Sequence, residues 1–488
     1  MMSIIGRKKE QAILNQIVNS KEPEFCALVG RRRIGKTFLI RQVFEAKKVV
    51  FFNATGMKDG PIQLQITHFT EQIGVTFLNG ITPKAGKTWE SAFKILTEAI
   101  QNVNKKQNII LFLDEFPWMA TKNSKLLQTL DYYWNQHWSR DARIKLIVCG
   151  SAASWIVDKI ICNKGGLHNR VTQTIYLEPF TLYETKQFLS QVGLKLNNKQ
   201  VTQVYIVTGG VAYYLSQFNP KLSIDQNIDQ IAFSKNSFLL TEFENLFASL
   251  FESHEIYIKI LRAIAFHHEG IGQAALFAKL QMQKGYSLLN KLKSLKDCNF
   301  ITSFIPLFHK EKGLYYKVSD EYTLFYFHWI ESLENILTRK GLGRNYWEKR
   351  KLTPQWRSWS GYAFESICHK HTAQISDALG MSATSVPGTW RYVSPKGSTE
   401  EGAQIDLLFD RDDDAITLCE IKYTDAPFII DKAYAAKLLK KMEIFKHRTQ
   451  TKKQLFLAMI SANGLKSTLY SEELVHAVVT LEDLFKSE

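Results

Sequence analysis

Cysteine is sparse in this sequence, and what little there is forms no pattern. The six cysteines stand at Cys26, Cys149, Cys162, Cys298, Cys368 and Cys419. No two have the C-x-x-C spacing of a zinc or redox site, which speaks against a zinc ribbon or a disulfide framework and suits a reducing compartment. Cys26, Cys149, Cys368 and Cys419 lie in apolar or helical runs and read as small core residues. No apolar run reaches the ~20 residues a bilayer-spanning helix needs. The opening "MMSIIGRKKEQ" also lacks the apolar centre of a signal peptide. The expectation is a soluble, cytoplasmic protein with no membrane partner. There is no internal repeat and no low-complexity tract. Acidic residues are in deficit as well, with 47 Asp and Glu against 62 Lys and Arg, a formal net charge of +15. That surplus favours an anionic partner, nucleic acid foremost, over the plain alternative of a generic basic protein.

What is present suits a well-packed chain of roughly two to four domains: 488 residues, 45% hydrophobic and 22% charged. Up to residue 180 the text alternates short apolar runs with amphipathic helices. The strand candidates are "FCALVG" (25–30), "KVVFFNAT" (48–55), "NIILFLDE" (108–115) and "IKLIVCGS" (144–151). They are continuously apolar rather than alternating, as strands buried on both faces are, so the fold class is α/β with a parallel sheet. Residues 181–250 read as mostly helical. Residues 251–336 give three helical segments, then "ITSFIPLF", a basic turn and "LYYKVS". Three helices followed by a β-ribbon is the layout of a winged helix-turn-helix. The aromatic helix "DEYTLFYFHWIES" then reads as docking against whatever follows. Residues 337–355 are basic and aperiodic and read as a loosely packed linker, and 356–488 as a further α/β domain.

"GRRRIGKT" spans Gly30, Arg31, Arg32, Arg33, Ile34, Gly35, Lys36 and Thr37 and matches G-x-x-x-x-G-K-[ST] between a strand and a helix. The glycines let the backbone wrap phosphates, Lys36 reaches the β/γ-phosphates, and the Thr37 hydroxyl serves Mg²⁺. Such a loop needs a carboxylate partner, and "IILFLDE" supplies Asp114 as metal ligand and Glu115 as base for the attacking water. ATP and Mg²⁺ are therefore the expected cofactors. In "CGSAAS", Ser151 or Ser154 orients water as a sensor, or Ser151 caps the next helix. Arg170 is an arginine finger toward a neighbouring subunit's nucleotide, or a surface arginine. The first of these implies a homo-oligomer through this domain.

The ordered set "IIGRKKEQAIL", "LVGRRRIGKTFLI", "LFLDEFPWM", "VCGSAASWI", "LEPFTLYE" and "VTGGVAYYL" resembles the archaeal-type AAA+ ATPases of the STAND-related group, over residues 3–330. The resemblance implies a P-loop ATPase core at 1–180 with a helical lid at 181–250. It also implies that the "GR" segment packs near adenine and that the "VTGGVAYYL" element belongs to the lid. Here Val211 and Ala212 stand where the family carries a proline. Relatives in the group act as nucleotide-gated switches or as origin-recognition and transposon-associated machines.

In the third helix of the winged segment, Leu288, Leu289, Leu292 and Leu295 form the expected buried stripe. That leaves Lys284, Lys291, Lys293 and Lys296 for solvent or for DNA phosphates, with Lys310 and Lys312 at the wing tip. Few residues there are placed to read base edges, so sequence specificity is not expected.

The C-terminal domain holds charges in its strands. "GAQIDLLF" places Asp406 mid-strand, and "ITLCEIKY" follows across the turn "DRDDDA" with Glu420 and Lys422 on one strand face. If the strands pair, two carboxylates meet as a Mg²⁺ site, and Lys422 positions water or steadies charge on phosphate. The plain alternative is a satisfied ion pair. The helix "WSGYAFESICHKH" adds Glu365 as a further ligand, with Trp359, Tyr362, Phe364 and Ile367 toward the core. Helix-Glu, strand-Asp, then Glu-x-Lys resembles the PD-(D/E)XK restriction-endonuclease-like superfamily over residues 356–456. "QID" stands where the name's "PD" would, and Gln404 shares the Asp406 face. The basic helix "AYAAKLLKKMEIFKHR" offers Lys437, Lys440, Lys441 and Lys446 to a phosphate backbone or to solvent.

The whole-chain expectation is thus an ATP-binding, ATP-hydrolysing DNA-processing enzyme with a Mg²⁺-dependent nuclease-like module. The alternative is a nucleotide-switched DNA-binding regulator or scaffold whose nuclease fold does not cut. A protein-remodelling ATPase ranks third, because no aromatic-hydrophobic-Gly substrate loop is evident.

Overall fold

The structure is a computed structural model that describes all residues except 1, 2, 163, 164, 168, 282–285, 309–312, 395, 396, 398–400 and 488. The chain divides into two compact units. The first comprises Met1–Pro179, Ser249–Glu252 and Leu289–Asn299; the second comprises Phe180–Ala248, Ser253–Leu288 and Phe300–Glu488.

The first unit is built on five parallel strands: β1 (Glu24–Val29), β2 (Val50–Thr55), β3 (Ile109–Asp114), β4 (Ile144–Gly150) and β5 (Gln173–Tyr176), in the order β2-β3-β4-β1-β5. β3 and β4 are buried along their whole length, which is why they read as unbroken apolar runs. Lys145 breaks the run in β4. Its ammonium donates to the carbonyls of Ser20 and Ala142, each at 2.9 Å, and to that of Glu22. β5 is absent from the strand reading of the sequence. It is a four-residue edge strand, "QTIY", half polar and only partly buried, so it lacks the apolar signature of the others.

The second unit begins with helices, among them Leu182–Gln191 and Asn198–Thr208. It also holds a three-stranded antiparallel sheet, β6 (Ile271–Gly272), β7 (Ile301–Phe304) and β8 (Tyr315–Val318), in the order β6-β8-β7. The helices His254–Ala265 and Gln273–Leu280 belong with it in sequence, and the helix Tyr286–Asp297 follows them. On that last helix Leu288, Leu292 and Leu295 are buried, but Leu289 is 44% exposed. The stripe runs i, i+4, i+7 and turns Leu289 outward, a correction to the four-leucine reading.

The segment 337–355 is not loosely packed. Leu337 and Trp347 are buried. The Trp347 ring lies 5.4 Å from Phe233, 5.5 Å from Trp329 and 5.0 Å from Trp356. Aperiodic text concealed it because two short helices, Glu334–Arg339 and Tyr346–Arg350, each anchor through one large apolar residue. The aromatic helix 320–332 packs into the same cluster, with Phe325 near Trp359.

The C-terminal sheet contains β9 (Val386–Tyr392), β10 (Ala403–Asp410), β11 (Ala415–Lys422), β12 (Gln454–Ser461) and β13 (Ala477–Val479), ordered β13-β12-β11-β10-β9. β9, β10 and β11 pair antiparallel, whereas β11, β12 and β13 run parallel. The helix Lys432–Thr449 lies over it, contributing Leu438 and Phe445 to the core. Among the described residues, no helix is long and apolar enough to cross a membrane.

Candidate functional sites

The first site forms where β1 ends. Gly30 has no room for a side chain: a Cβ there would stand 2.5 Å from the Leu177 carbonyl oxygen. Gly35 takes φ 94° at the mouth of the helix Lys36–Phe44, a conformation that costs glycine little. The turn between them buries Lys36, whose ammonium donates to the carbonyls of Gly30 at 2.8 Å and Arg31 at 2.9 Å. Arg31 and Ile34 are buried, and Arg32 and Arg33 are partly so. The Thr37 hydroxyl donates to Asp114 Oδ2 at 2.7 Å, across from the end of β3. The donor set of one hydroxyl and one carboxylate at a glycine-bounded loop fits a hard divalent cation beside phosphate.

The residues flanking Asp114 are held as firmly. Asp114 Oδ1 accepts the Glu115 N–H at 3.0 Å and the Cys149 thiol at 3.0 Å. Burial, then the Asp114 charge, pushes that thiol well above its usual range, so it stays a donor. Glu115 sits at φ 47°. Its carboxylate accepts the Ser151 backbone N–H at 2.8 Å and the Ser151 hydroxyl. The hydroxyl is therefore directed at Glu115, and the next helix, Ala153–Ile156, has Ala152 at its N-cap with no side-chain cap. Arg170 is exposed. In the sequence Cys149 reads only as a core residue; its place beside Asp114, one position beyond the Leu113–Val148 pair, becomes visible once β3 and β4 are paired.

The second site lies on the C-terminal sheet. Leu407 faces Cys419 in the β10–β11 ladder, which brings Asp406 beside Glu420 and Ile421. Asp406 Oδ2 accepts the Ile421 N–H at 3.1 Å. Glu420 is held by three side chains: Lys422 Nζ at 2.9 Å and the Tyr434 hydroxyl at 2.5 Å on Oε1, and Lys441 Nζ at 2.7 Å on Oε2. Burial works against its charge, but Lys422 and Lys441 outweigh it and hold the carboxyl down at about 2.

Glu365 and Asp406 behave in the opposite way. Burial first, then the Asp406 charge, pushes Glu365 up to about 8. Burial first, then the Glu420 charge, pushes Asp406 up to about 6. Glu365, Asp406, Glu420 and Lys422 thus act on one another electrostatically, from a helix and two strands. Among the described residues no group of three or more His, Cys, Asp or Glu is placed to hold a metal ion. A Mg²⁺ ion needs only one or two carboxylates with waters for the rest, and the strained pair Glu365 and Asp406 fits that demand.

Phe364, Ile367 and Trp359 are buried as the helix reading requires, but Tyr362 is 38% exposed. It lies flat on His268, with ring centroids 4.0 Å apart. The sequence reading does not include Tyr434, and it gives Lys441 as a phosphate contact or part of a solvated face. They stand two turns apart on one face of the helix Lys432–Thr449, a spacing that was readable. Lys437, Lys440 and Lys446 on that helix are exposed.

In the segment 251–336, Lys293 is ion-paired with Asp158 at 2.7 Å and Asp297 at 3.1 Å, and Lys296 is exposed. Lys284, Lys310 and Lys312 lie outside the described residues.

Comparison with known proteins bears on the first site. Residues 5–218 match the family model described as an ATPase domain predominantly from Archaea. An uncharacterized protein of Methanocaldococcus jannaschii is 25% identical over 427 residues, covering 86% of this chain and 88% of that protein. Among solved structures, a Walker-type ATPase of Pyrococcus abyssi aligns at TM-score 0.48 and 17% identity, over 66% of this chain and 96% of that one. The ADP form of the Aeropyrum pernix ORC2 protein aligns at TM-score 0.38 and 16% identity, over 70% and 96%. The family match covers the loop Gly30–Thr37, the Asp114 and Glu115 strand end and the Ser151 segment, and identifies that part of the chain as an archaeal-type ATPase domain.

Proposed function

We propose that this chain is an ATP-hydrolysing, DNA-processing protein whose C-terminal module cleaves phosphodiesters with Mg²⁺. In the ATPase domain, Lys36 is freed from the loop carbonyls to meet the β/γ-phosphates. Thr37 and Asp114 would hold Mg²⁺, and Glu115, oriented by Ser151, would align the attacking water. Arg170, being exposed, is available to a neighbouring copy in a homo-oligomer. Residues 181–250 act as lid, 251–336 as a winged helix-turn-helix, and 356–488 as a PD-(D/E)XK-like nuclease domain.

The observation that carries the nuclease reading is the Glu365–Asp406 pair. Burial and the Asp406 charge raise Glu365, and burial and the Glu420 charge raise Asp406, so the two buried carboxyls are costly to keep ionised unless a cation joins them. Glu365 and Asp406 are the residues that would hold Mg²⁺, and Glu420 would join them by giving up one of its lysine partners. Bound there, the ion would polarise the phosphate and ease ionisation of water. Lys422, kept charged by Glu420, faces the charge that develops on the phosphoryl oxygens. The net charge of +15 supports DNA as the polymer.

One observation favours the alternative, a regulator that binds DNA without cutting. Both oxygens of Glu420 are already occupied by Lys422, Tyr434 and Lys441. Incubation of linear, supercoiled, branched and single-stranded DNA with Mg²⁺ or Mn²⁺, with and without ATP, separates the two. Cleavage by wild type that falls at least ~100-fold in Lys422→Ala supports the nuclease. DNA binding without cleavage in every condition selects the regulator.

A further inference from the structure

We propose that Cys149, on β4, is a positioning residue of the nucleotide site: its thiol fixes the Asp114 carboxylate in the orientation that presents Oδ2 to a divalent cation. The proposal rests on reading Thr37 and Asp114 as the Mg²⁺ site, and it gives β4 a part in that site.

The sheet puts the two residues side by side. β3 and β4 pair in parallel with Leu113 opposite Val148, and the next residues along are Asp114 and Cys149. Both are buried, at 4% and 0% exposure. The Cys149 thiol donates to Asp114 Oδ1 at 3.0 Å. On the other side of β4, Cys149 lies opposite Leu28 of β1, whose side chain offers no polar atom.

The two oxygens of Asp114 are used differently. Oδ1 accepts twice, from Cys149 and from the Glu115 N–H at 3.0 Å. Oδ2 accepts the Thr37 hydroxyl at 2.7 Å. The torsion that turns an aspartate carboxylate is broad and soft, so the group keeps its plane only through its partners. The Glu115 N–H belongs to the adjoining peptide and turns with the same backbone. Cys149 ties Oδ1 to a different strand. With Oδ1 engaged there, Oδ2 stays turned to Thr37, the other group that would hold the cation. Mg²⁺ demands near-ideal geometry from its oxygens, and side chains that orient a metal ligand shape affinity without touching the metal.

A thiol also suits the place. It is an uncharged donor, so it orients Asp114 without cancelling the charge that draws the cation in, as an ammonium would. It also behaves as a small apolar group, which fits a strand buried along its whole length.

The test uses the full-length chain with Cys149→Val and Cys149→Thr, which match in shape and differ by one hydroxyl donor. The first readout is calorimetric binding of a non-hydrolysable ATP analogue in EDTA and in millimolar Mg²⁺. In Cys149→Val the tightening that Mg²⁺ brings should shrink about 3- to 10-fold, the low end for such residues because a thiol is a weak donor. Affinity in EDTA should stay within about 2-fold of wild type, since the loop and Lys36 are untouched. Cys149→Thr should keep the wild-type tightening. The second readout is ATP hydrolysis against Mg²⁺: half-saturating Mg²⁺ should rise about 3- to 10-fold in Cys149→Val, with KM for ATP unchanged once Mg²⁺ saturates. A merely structural role would lower affinity in EDTA and would not be rescued by threonine. Should Cys149→Val fail to fold, Cys149→Ala and Cys149→Ser repeat the comparison without added bulk and carry the same expectations. Wild-type tightening in the variant without a donor, or equal losses with and without the hydroxyl, would overturn the proposal. A wild type whose affinity for the analogue ignores Mg²⁺ would overturn the reading of Thr37 and Asp114 as the metal site, and the proposal with it.

Discussion

The nucleotide site and the C-terminal site both set carboxylates and a lysine at the ends of strands, yet they manage charge in opposite ways. At the first, each group has a small, neutral partner close by. Lys36 lies on two loop carbonyls, Asp114 accepts from Thr37 and Cys149, and Glu115 accepts twice from Ser151. Neutral partners are released at little cost when phosphate and a cation arrive. At the second site, Glu420 is saturated by full charges while Glu365 and Asp406 repel one another. The first arrangement is poised for an anion carrying its own cation. The second is short of a cation.

The largest effect expected from breaking that contrast is at Lys36. Lys36→Ala removes the only ammonium buried in the Gly30–Thr37 loop, and nucleotide binding measured by calorimetry together with phosphate release should fall at least ~100-fold. Glu115→Gln keeps the shape and the Ser151 N–H bond on its amide oxygen, with its NH2 now donating to the Ser151 hydroxyl, but cannot act as base. Turnover should drop on the order of 100-fold while nucleotide affinity stays within about 3-fold of wild type. Unchanged turnover in Glu115→Gln would remove it from that role.

The same contrast governs what could be read from the sequence. The first site was legible because its phosphate loop is one contiguous octapeptide after an apolar strand, and Asp114 and Glu115 close another such strand. Backbone geometry there is local, so spacing encodes it. The second site is assembled from the helix Pro354–Lys370, β10, β11 and the helix Lys432–Thr449. The Glu-x-Lys pair and Asp406 were readable because a strand's two-residue period puts them on one face. Tyr434 and Lys441 answered to a helical period that was seen only as a basic stripe. β5 and the segment 337–355 were missed for a related reason, since short elements anchored by one or two apolar residues carry no periodicity.

A smaller effect tests whether the charges on Glu420 matter to chemistry or only to folding. Lys441→Met removes one of its two ammonium partners and leaves Lys422 and Tyr434 in place. If Glu420 is a metal ligand, losing a competing cation should strengthen Mn²⁺ binding roughly 3-fold while DNA affinity falls slightly. If Glu420 is only a structural ion pair, Mn²⁺ binding should stay as it was.

A further effect is a slope of stability against pH. Glu365 is raised from 4.5 to about 8 in the folded chain. A raised carboxyl favours the folded state in its protonated form. Its contribution is complete below about 4.5 and is lost as pH climbs through about 8. In EDTA, wild type should therefore lose up to about 4 kcal/mol between pH 5 and pH 9 from this group, a loss that Glu365→Gln, which cannot ionise, should not show. Melting curves of the two proteins should converge near pH 5 and separate by a few degrees at pH 9, with the glutamine variant the more stable. Millimolar Mg²⁺ should close that gap by binding the ionised pair in wild type alone. Parallel curves across the range would mean that Glu365 ionises like an exposed carboxylate, and the contrast between the two sites would lose its physical basis.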